Sequence, residues 1–362
     1  MAATTGAFAQ SSVELFGVLD AAYTHVSGNS VSANKMTTSS NGSSQLGFRG
    51  TEDMGNGVKA GFWLEAGVNN DSGAGAGTNT NNQVSGKAAA AAGGQGLTFN
   101  RRSTVSVGGN FGEVRIGREY TPQFWNITAY DPFFTNGVGT NAMMTGPVAV
   151  SAVGSGGTSV RASNSFTYLY NHNFNATSVS GGSGLHAMVQ YYMGENASNT
   201  ALPAGKNDGN GYGIRVGYND GPLNVAVATG KTTQLNGTAN ETMTNVGGSY
   251  DLGMAKLFGQ YSQDKYAGAN KFNGYLLGAT VPAGSGYIRA TYSDYKAKTL
   301  AGEVNKFAVG YVYNVSKRTD LYATYARVSN KNGSSVGVDF VGTPTAVNGS
   351  GNGFDLGIKH SF

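Results

Sequence analysis

Apolar and polar residues alternate along most of this chain, in stretches of about ten residues that are separated by turns. Residues 211–219 are an example, because one face of this stretch is apolar while the other holds Gly213, Arg215 and Gly217. The apolar face consists of Tyr212, Ile214, Val216 and Tyr218. A period of two residues predicts β-strands that each have one apolar and one polar face.

The pattern predicts sixteen strands, joined alternately by short and by longer polar connections. The predicted strands are 13–26, 44–52, 58–68, 98–110, 112–120, 159–171, 184–194, 209–219, 222–231, 242–251, 254–264, 270–281, 284–295, 303–315, 317–329 and 352–362. Connections such as 219–222 are short, whereas 27–43 and 330–351 are long polar loops. The connection 172–183 is longer than its place among the short ones predicts. Short connections at one end and long ones at the other are typical of β-barrels in outer membranes.

The residues on the two faces of each strand distinguish between two possible folds, a barrel in lipid and a soluble β-sandwich. Phe166, Tyr168 and Tyr170 share one face of their strand, and the opposite face holds serine and threonine. A soluble sandwich would pack these aromatic faces on a second sheet, but long strands with aromatic ends fit membrane interfaces better. In hydrocarbon an open sheet edge leaves backbone groups unpaired, so the sheet must close. We therefore predict an all-β fold, a 16-stranded antiparallel transmembrane β-barrel around an aqueous lumen.

One long, irregular stretch between Glu119 and Arg161 interrupts the strands. It contains Pro122 and Pro132, two of the seven prolines in the chain, together with a cluster of aromatic residues. Proline is excluded from central strands, and a connection of this length is far above the usual range. We predict that residues 121–158 form a loop that folds into the mouth of the barrel.

Composition and charge narrow the class of protein. The 362 residues include 57 glycines and 20 tyrosines but no cysteine, which indicates a turn-rich sheet protein and excludes thiol chemistry. A formal net charge of +4 without a basic run argues against nucleic-acid binding. The four histidines lie on separate segments without metal-binding or catalytic spacing, so we expect no metal site and no cofactor.

Two stretches lie outside the strand pattern, namely the first residues of the chain and one low-complexity loop. Ala7, Phe8 and Ala9 have the small-x-small form of a secretory cleavage site. We predict that residues 1–9 are a residual signal-peptide segment, with a flexible terminus as the alternative, and that 10–362 form a single barrel domain. Residues 73–96, rich in glycine, alanine, asparagine and threonine, should be a loop outside the membrane.

Strand parity selects candidate residues for the pore lining. A charge that faces lipid at mid-depth costs about 2 to 4 kcal/mol, so charged residues deep in a strand should face the lumen. Because Val105 and Val107 define an outward face, Arg102 turns inward and Arg101 outward, to a rim or subunit contact. Arg102 and Arg161 also lie near the two roots of the long loop. The same test turns inward Glu14, Asp20, Arg49, Lys59, Glu65, Glu113, Arg115, Arg161, Arg215, Lys256 and Arg289.

Five motifs along the chain carry a family resemblance. They are Val13–Asp20 (VELFGVLD), Leu46–Gly55 (LGFRGTEDMG), Arg101–Val105 (RRSTV), Phe111–Arg118 (FGEVRIGR) and Ile358–Phe362 (IKHSF). They resemble the general trimeric porins of Gram-negative bacteria, and the betaproteobacterial branch is the most similar. The resemblance spans nearly the whole chain from Gln10, and its early block is highly specific.

This resemblance implies a homotrimer of barrels in the cell outer membrane, in contact with its lipid and lipopolysaccharide. Each barrel would be a channel for passive diffusion of ions and small hydrophilic solutes, narrowed by a third external loop folded into the lumen. In this family an arginine usually stands where Gln45 stands here. The terminal Phe362 resembles the signal that the outer-membrane insertion machinery reads.

We predict a pore constriction and a modest preference for anions. The preference follows because inward basic residues outnumber inward acids, and charges at a constriction bias which ions pass. For each residue a solvated lumen wall is the alternative, and Asp131 has the further alternative of capping its own turn before Pro132. The predicted constriction residues are Gln45, Arg49, Lys59, Arg102, Arg115, Asp131 and Arg161.

Two other functions compete with a channel. An outer-membrane barrel hydrolase is the first, although the chain contains no His-Glu-x-x-His motif and no P-loop. A Ser-His pairing across strands stays open at this level. A surface-exposed all-β binding protein is the second, and detergent dependence during extraction would separate it from a barrel. We expect a channel and not an enzyme.

Overall fold

The computed structural model describes residues 12–28, 31–83, 96–144, 160–176, 181–199, 205–266, 270–298, 302–339 and 343–362. The predicted signal-peptide segment 1–9 lies outside this part of the chain. Half of the low-complexity loop 73–96, residues 84–95, and the end of the long loop, residues 145–159, also lie outside it.

Antiparallel strands make up nearly all of the regular structure. Their bounds are β1 (Ser12–Gly28), β2 (Val31–Thr38), β3 (Gln45–Gly55), β4 (Val58–Asn69), β5 (Ala74–Gly75), β6 (Arg102–Gly109), β7 (Gly112–Tyr120), β8 (Arg161–Tyr170), β9 (Gly184–Tyr192), β10 (Gly211–Asp220), β11 (Leu223–Thr232), β12 (Glu241–Asp251), β13 (Lys256–Tyr266), β14 (Asn270–Ala283), β15 (Gly286–Ala297), β16 (Glu303–Asn314), β17 (Thr319–Lys331) and β18 (Ser350–Ser361). Helix α1 (Pro122–Ala129) and short 3-10 turns at Ala142–Met144 and Leu235–Gly237 complete the described elements. None of the helices in these ranges is long and apolar enough to cross a membrane.

These strand segments form one closed sheet with sixteen positions. β2 pairs with Ala21–Gly28 of β1 and β3 pairs with Ser12–Val18, so β2 and β3 together occupy one position. β5 is only a two-residue pairing on the end of β4. The other side of β1, from Val18 to Gly28, pairs with β18, which closes the sheet. The predicted 16-stranded antiparallel barrel is therefore confirmed.

The prediction of a polar loop at 27–43 is wrong in part, because these residues include strand β2. β2 has a largely polar sequence and no clear apolar face. Its side chains bond to β1 instead, since Asn34 Oδ1 accepts from Tyr23 Oη at 2.9 Å and lies 2.7 Å from His25 Nδ1. Polar pairs between neighbouring strands support pairing here without the alternation on which the prediction relied.

Apolar side chains cover the outside of the barrel, and polar side chains line the inside. Val105 and Leu277 are 58% and 62% exposed, whereas Ser106 and Ser262, on inward faces, are buried. This is the reverse of a soluble protein, and it is the arrangement that a barrel in lipid requires.

The long loop begins with helix α1. Thr121 caps the helix, because its Oγ1 accepts a hydrogen bond from the backbone nitrogen of Phe124 at 3.4 Å. Pro122 occupies the first helical turn, where its missing N–H costs no hydrogen bond. The proline that excluded a strand here thus starts a helix.

Helix α1 packs against the inner face of strands β9–β12. Asn126 Nδ2 donates to Asn245 Oδ1 at 2.7 Å, and both side chains are buried. The wall is glycine-rich where the loop approaches it, since a Cβ on Gly230 would lie 2.2 Å from Gln123 Oε1. The absence of side chains at such positions lets the helix lie close to the wall.

The tip of the loop belongs to an apolar cluster inside the barrel. Phe133, Val138 and Met143 of the loop pack with Leu276 and Val328 of the wall, and all five are fully buried or nearly so. Burial of an apolar side chain of this size stabilises by roughly 1.5 to 3 kcal/mol. The cluster fixes the loop against strands β14–β17 and fills that side of the lumen.

Candidate functional site

An opening of about 490 Å³ lies between the long loop and the opposite wall, and we call it the central opening. Its loop side includes Phe124, Trp125, Thr128, Phe134, Asn136 and Met144. Its wall side includes Gln45, Glu65, Arg101, Arg102, Glu119, Tyr120, Arg161 and Lys359. A mainly apolar and aromatic surface thus faces a charged one.

Three of the seven predicted constriction residues line the central opening, namely Gln45, Arg102 and Arg161. Arg49 and Lys59 lie nearer to the barrel end that has the short connections. Arg49 Nε bonds to Glu14 Oε2 at 2.7 Å, and its guanidinium carbon lies 4.9 Å from the Trp63 ring centroid. Lys59 lies opposite Asp53 in the antiparallel register of β3 and β4, beside the turn that joins the two strands. Strand parity predicts whether a side chain faces the lumen or the lipid, but it does not predict how far along the barrel axis the residue lies.

Arg115 faces inward, as predicted, but it is held in a buried ion-pair network. Its Nη1 lies 2.9 Å from Glu119 Oε2, and its Nε lies 2.8 Å from Glu113 Oε1. Arg102 Nε lies 3.1 Å from the same Glu119 oxygen. Removal of one partner from a buried ion pair leaves an uncompensated charge, which costs about 3 to 5 kcal/mol. Arg115 is therefore occupied by its partners and does not line the central opening.

The connection 172–183, which is unusually long in the sequence, folds back into the barrel. Asn175 Oδ1 accepts from Arg102 Nη2 at 3.2 Å, and the Ala176 carbonyl accepts from Arg115 Nη2 at 3.1 Å. The ring of Phe174 lies over Gly108, where a Cβ would come within 2.5 Å of it. This segment therefore holds both arginines from the short-connection end, a constraint that the sequence did not reveal.

Asp131 is a structural cap on the loop. Its carboxylate accepts from the backbone nitrogen of Phe133 at 2.8 Å and from Asn141 Nδ2 at 2.7 Å. The residue is fully buried, and burial raises the pKa of its carboxyl above the ordinary value. Asp131 thus bonds to its own turn, the alternative considered from the sequence, and does not line the central opening.

Arg101 was predicted to face outward, and this is wrong. It precedes β6, so strand parity does not apply to it, and its Nε lies 2.6 Å from Glu65 Oε1. Its Nη2 donates to Tyr120 Oη at 2.7 Å. Arg161 bonds to the same hydroxyl, and its guanidinium carbon lies 4.1 Å from the Tyr120 ring centroid. Tyr120 therefore joins the two arginines at the central opening.

A short inward segment between β2 and β3, residues 39–44, lines the other side of the central opening. The Asp20 carboxylate accepts from the backbone nitrogens of Asn41 at 2.8 Å and Gly42 at 2.6 Å. Ser43 Oγ reaches Asn136 Oδ1 of the long loop at 3.2 Å. Asp20 was predicted to face inward, but its partners, which also include the Tyr322 hydroxyl, come from other segments, so only the fold shows what it holds.

Two of the four histidines meet, although they are separate in sequence. His172 and His186 are edge to face, with ring centroids 5.7 Å apart. Within the described ranges, no group of three histidine, cysteine, aspartate or glutamate side chains is arranged to hold a metal ion.

Comparison with known proteins identifies the family. A family model described as Gram-negative porin matches residues 1–333. Outer membrane porin protein 32 of Delftia acidovorans is 35% identical over 375 aligned residues, covering 100% of this chain and 97% of that protein. An outer membrane porin of Bordetella pertussis is 25% identical over 338 aligned residues, covering 78% of this chain and 77% of that protein.

The fold comparison agrees with the sequence comparison. The anion-selective porin from Comamonas acidovorans is 33% identical and superposes with a TM-score of 0.81, covering 98% of this chain and 100% of that chain. The sequence resemblance to betaproteobacterial porins is thereby confirmed. The apolar exterior agrees with an integral protein of the outer membrane. The chain belongs to the Gram-negative porin family.

Proposed function

We propose that this outer-membrane porin conducts ions and small hydrophilic solutes by passive diffusion, with a modest preference for anions. The central opening is the narrow section through which they pass. The observation that carries the preference is the charge at its edge, where the described lining residues include Arg101, Arg102 and Arg161 beside two acids, Glu65 and Glu119. Lys359 also lines the opening, but it is bound to Asp320 at 2.6 Å.

The pairing of these charges supports a positive opening. Glu65 is bound to Arg101, and Glu119 is bound to Arg102 and Arg115. Arg161 has Tyr120 as its bonding partner, and its buried Nε has no partner among the described residues. One guanidinium charge at the opening is therefore left without a directly bonded carboxylate.

One relative, the family resemblance and the apolar exterior support the wider proposal. The Comamonas acidovorans protein, which has the same fold, is described as anion-selective. We infer a homotrimer for this chain from its resemblance to the trimeric porins, and contact with outer-membrane lipid and lipopolysaccharide from its apolar exterior. Threefold stepwise closure of single channels in a planar bilayer would test the trimer.

Substitution of Arg161 by glutamine should weaken the anion preference by at least about twofold in permeability ratio. Two unit charges about 10 Å apart interact by roughly 0.4 kcal/mol in water and about 1.7 kcal/mol at an effective dielectric near 20, so one charge suffices for this change. Arg102→Ala should act in the same direction. The measurement is the zero-current potential across a salt gradient in a planar bilayer.

Arg49→Gln is the matched control, because Arg49 is paired with Glu14 and does not line the central opening. It should shift the potential less than either variant. High salt should weaken the preference in every variant, because the Debye length falls to about 3 Å at 1 M. A cation preference in the wild type, or unchanged potentials in Arg161→Gln and Arg102→Ala, would contradict the proposed role of these arginines.

A channel is also favoured over a hydrolase. Gly333–Gly337 (GSSVG) has the Gly-x-Ser-x-Gly form of a nucleophile elbow, which requires a serine on a strand-to-helix turn. Here the tract lies in the connection between strands β17 and β18, and the Ser335 carbonyl accepts from the backbone nitrogen of Thr345. We propose that the protein is not an enzyme.

A further inference from the structure

Phe134 is an apolar side chain placed in the central opening. It is 49% exposed, whereas its neighbour Phe133 is fully buried in the apolar cluster. Its backbone has φ of 51°, in the left-handed region that a phenylalanine rarely adopts. The Phe134 carbonyl accepts from Thr135 Oγ1 at 2.6 Å and from Asn136 Nδ2 at 2.9 Å. These bonds hold a backbone conformation that keeps the ring in the water-accessible space.

Other aromatic residues lie around the same opening. The Tyr120 and Trp125 rings have centroids 4.4 Å apart, and Tyr120 stacks on Phe124 at 5.5 Å with an interplanar angle of 9°. Trp125 is half-buried, so part of its ring is accessible. A channel for small inorganic anions alone needs no such surface, because the face of an aromatic ring carries negative partial charge.

A guanidinium charge adjoins this aromatic surface. Arg161 lies over the face of Tyr120, and no described carboxylate forms an ion pair with it, whereas Arg101 is bound to Glu65. Guanidinium groups bind carboxylates through charge-assisted hydrogen bonds, and their planes also stack on aromatic rings. The opening therefore combines one positive charge that no described carboxylate binds directly with accessible aromatic rings.

We propose that the central opening binds aromatic carboxylates and favours their passage over that of other small anions. The carboxylate would lie toward Arg161, and the ring would stack against Phe134 and Trp125. An aliphatic carboxylate would gain only the charge interaction, and a neutral aromatic molecule only the stacking. The opening of about 490 Å³ falls within the range of about 300 to 1,000 Å³ that is usual for small-molecule sites. The proposal rests on the anion conduction proposed above.

The test uses the full-length protein in planar bilayers, with chloride as the current carrier. Benzoate, acetate and benzyl alcohol are added in turn, and the concentration that halves the chloride current is measured for each. The concentration that halves the chloride current should be about twofold to tenfold lower for benzoate than for acetate, which is the factor that one aromatic contact supplies. Benzyl alcohol should have little effect. The permeability ratio of benzoate to acetate from zero-current potentials gives a second measure.

Phe134→Asn separates the ring from the charge. Asparagine tolerates the left-handed backbone conformation, so the loop geometry is retained while the ring is lost. This variant should reduce the effect of benzoate by at least about twofold and leave that of acetate unchanged. Arg161→Gln should weaken the effects of both benzoate and acetate on the chloride current. Phe111→Asn, in the short turn between β6 and β7 and away from the central opening, should change neither.

Equal effects of benzoate and acetate on the wild type, or an unchanged benzoate effect in Phe134→Asn, would overturn the proposal. The outcome is separable from that of the proposed function. A wild type that prefers chloride over potassium but treats benzoate like acetate would refute only the aromatic site. A wild type that prefers potassium would refute the anion preference itself.

Discussion

Removal of residues 131–141 from the long loop is expected to raise the single-channel conductance by at least about twofold, because a narrow section limits ion flow. The segment carries Phe134 and Asn136 at the edge of the central opening. It also carries Phe133 and Val138, which fill the lumen beside that opening. Their removal leaves a wider water-filled section. Conductance of single channels in planar bilayers, recorded in 1 M salt, gives the measurement.

The strand ladder should survive this deletion, because the removed residues belong to no strand. Heat-modifiable migration on gels would show that the variant barrel is folded. Removal of residues 235–239 is the control, since this part of the connection between β11 and β12 does not line the central opening. The control should conduct like the wild type. Unchanged conductance of the folded 131–141 variant would show that the loop does not limit ion flow.

The barrel could be predicted from the sequence because its wall obeys a local rule. Lipid on one side and water on the other act on every strand, so residues such as Val105 and Ser106 reveal their faces by parity alone. Closure then follows from the cost of unpaired backbone groups in hydrocarbon. β2 escaped prediction because its pairing with β1 depends on polar contacts such as that of Asn34 with Tyr23.

The site was less predictable, since its residues are brought together by segments distant in sequence. Parity placed Arg102 and Arg115 on the inner face, but it could not show that Asn175 and Ala176 return from another connection to bind them. Arg101 was misplaced because the rule for strands was extended to a residue before the strand. Depth along the barrel and long-range pairing decide which charges reach the opening, and neither is encoded in a two-residue period.

Deletion of Phe362 is expected to prevent most of the protein from inserting into the outer membrane. The terminal residue completes the pairing that closes the barrel, since the nitrogen of Phe362 donates to the Gly17 carbonyl at 3.0 Å and the reverse bond is 3.1 Å. Its ring lies over Gly17, where a Cβ would come within 2.3 Å of the ring. With Phe354, Leu356 and Ile358, it continues the outward apolar face of strand β18.

Two roles for Phe362 make different predictions, and a substitution series distinguishes them. The lost backbone bonds are worth roughly 0.5 to 1.5 kcal/mol each, a small loss for a barrel closed by the pairing of Val18–Gly28 with Gly351–Ser361. If insertion fails for that reason alone, Phe362→Ala, which retains both bonds, should insert normally. If the insertion machinery reads the terminal aromatic ring, as the family resemblance implies, Phe362→Ala should fail like the deletion, and Phe362→Tyr should insert. The fraction of heat-modifiable trimers in outer-membrane extracts measures each case, and normal trimers from the deletion would refute both roles.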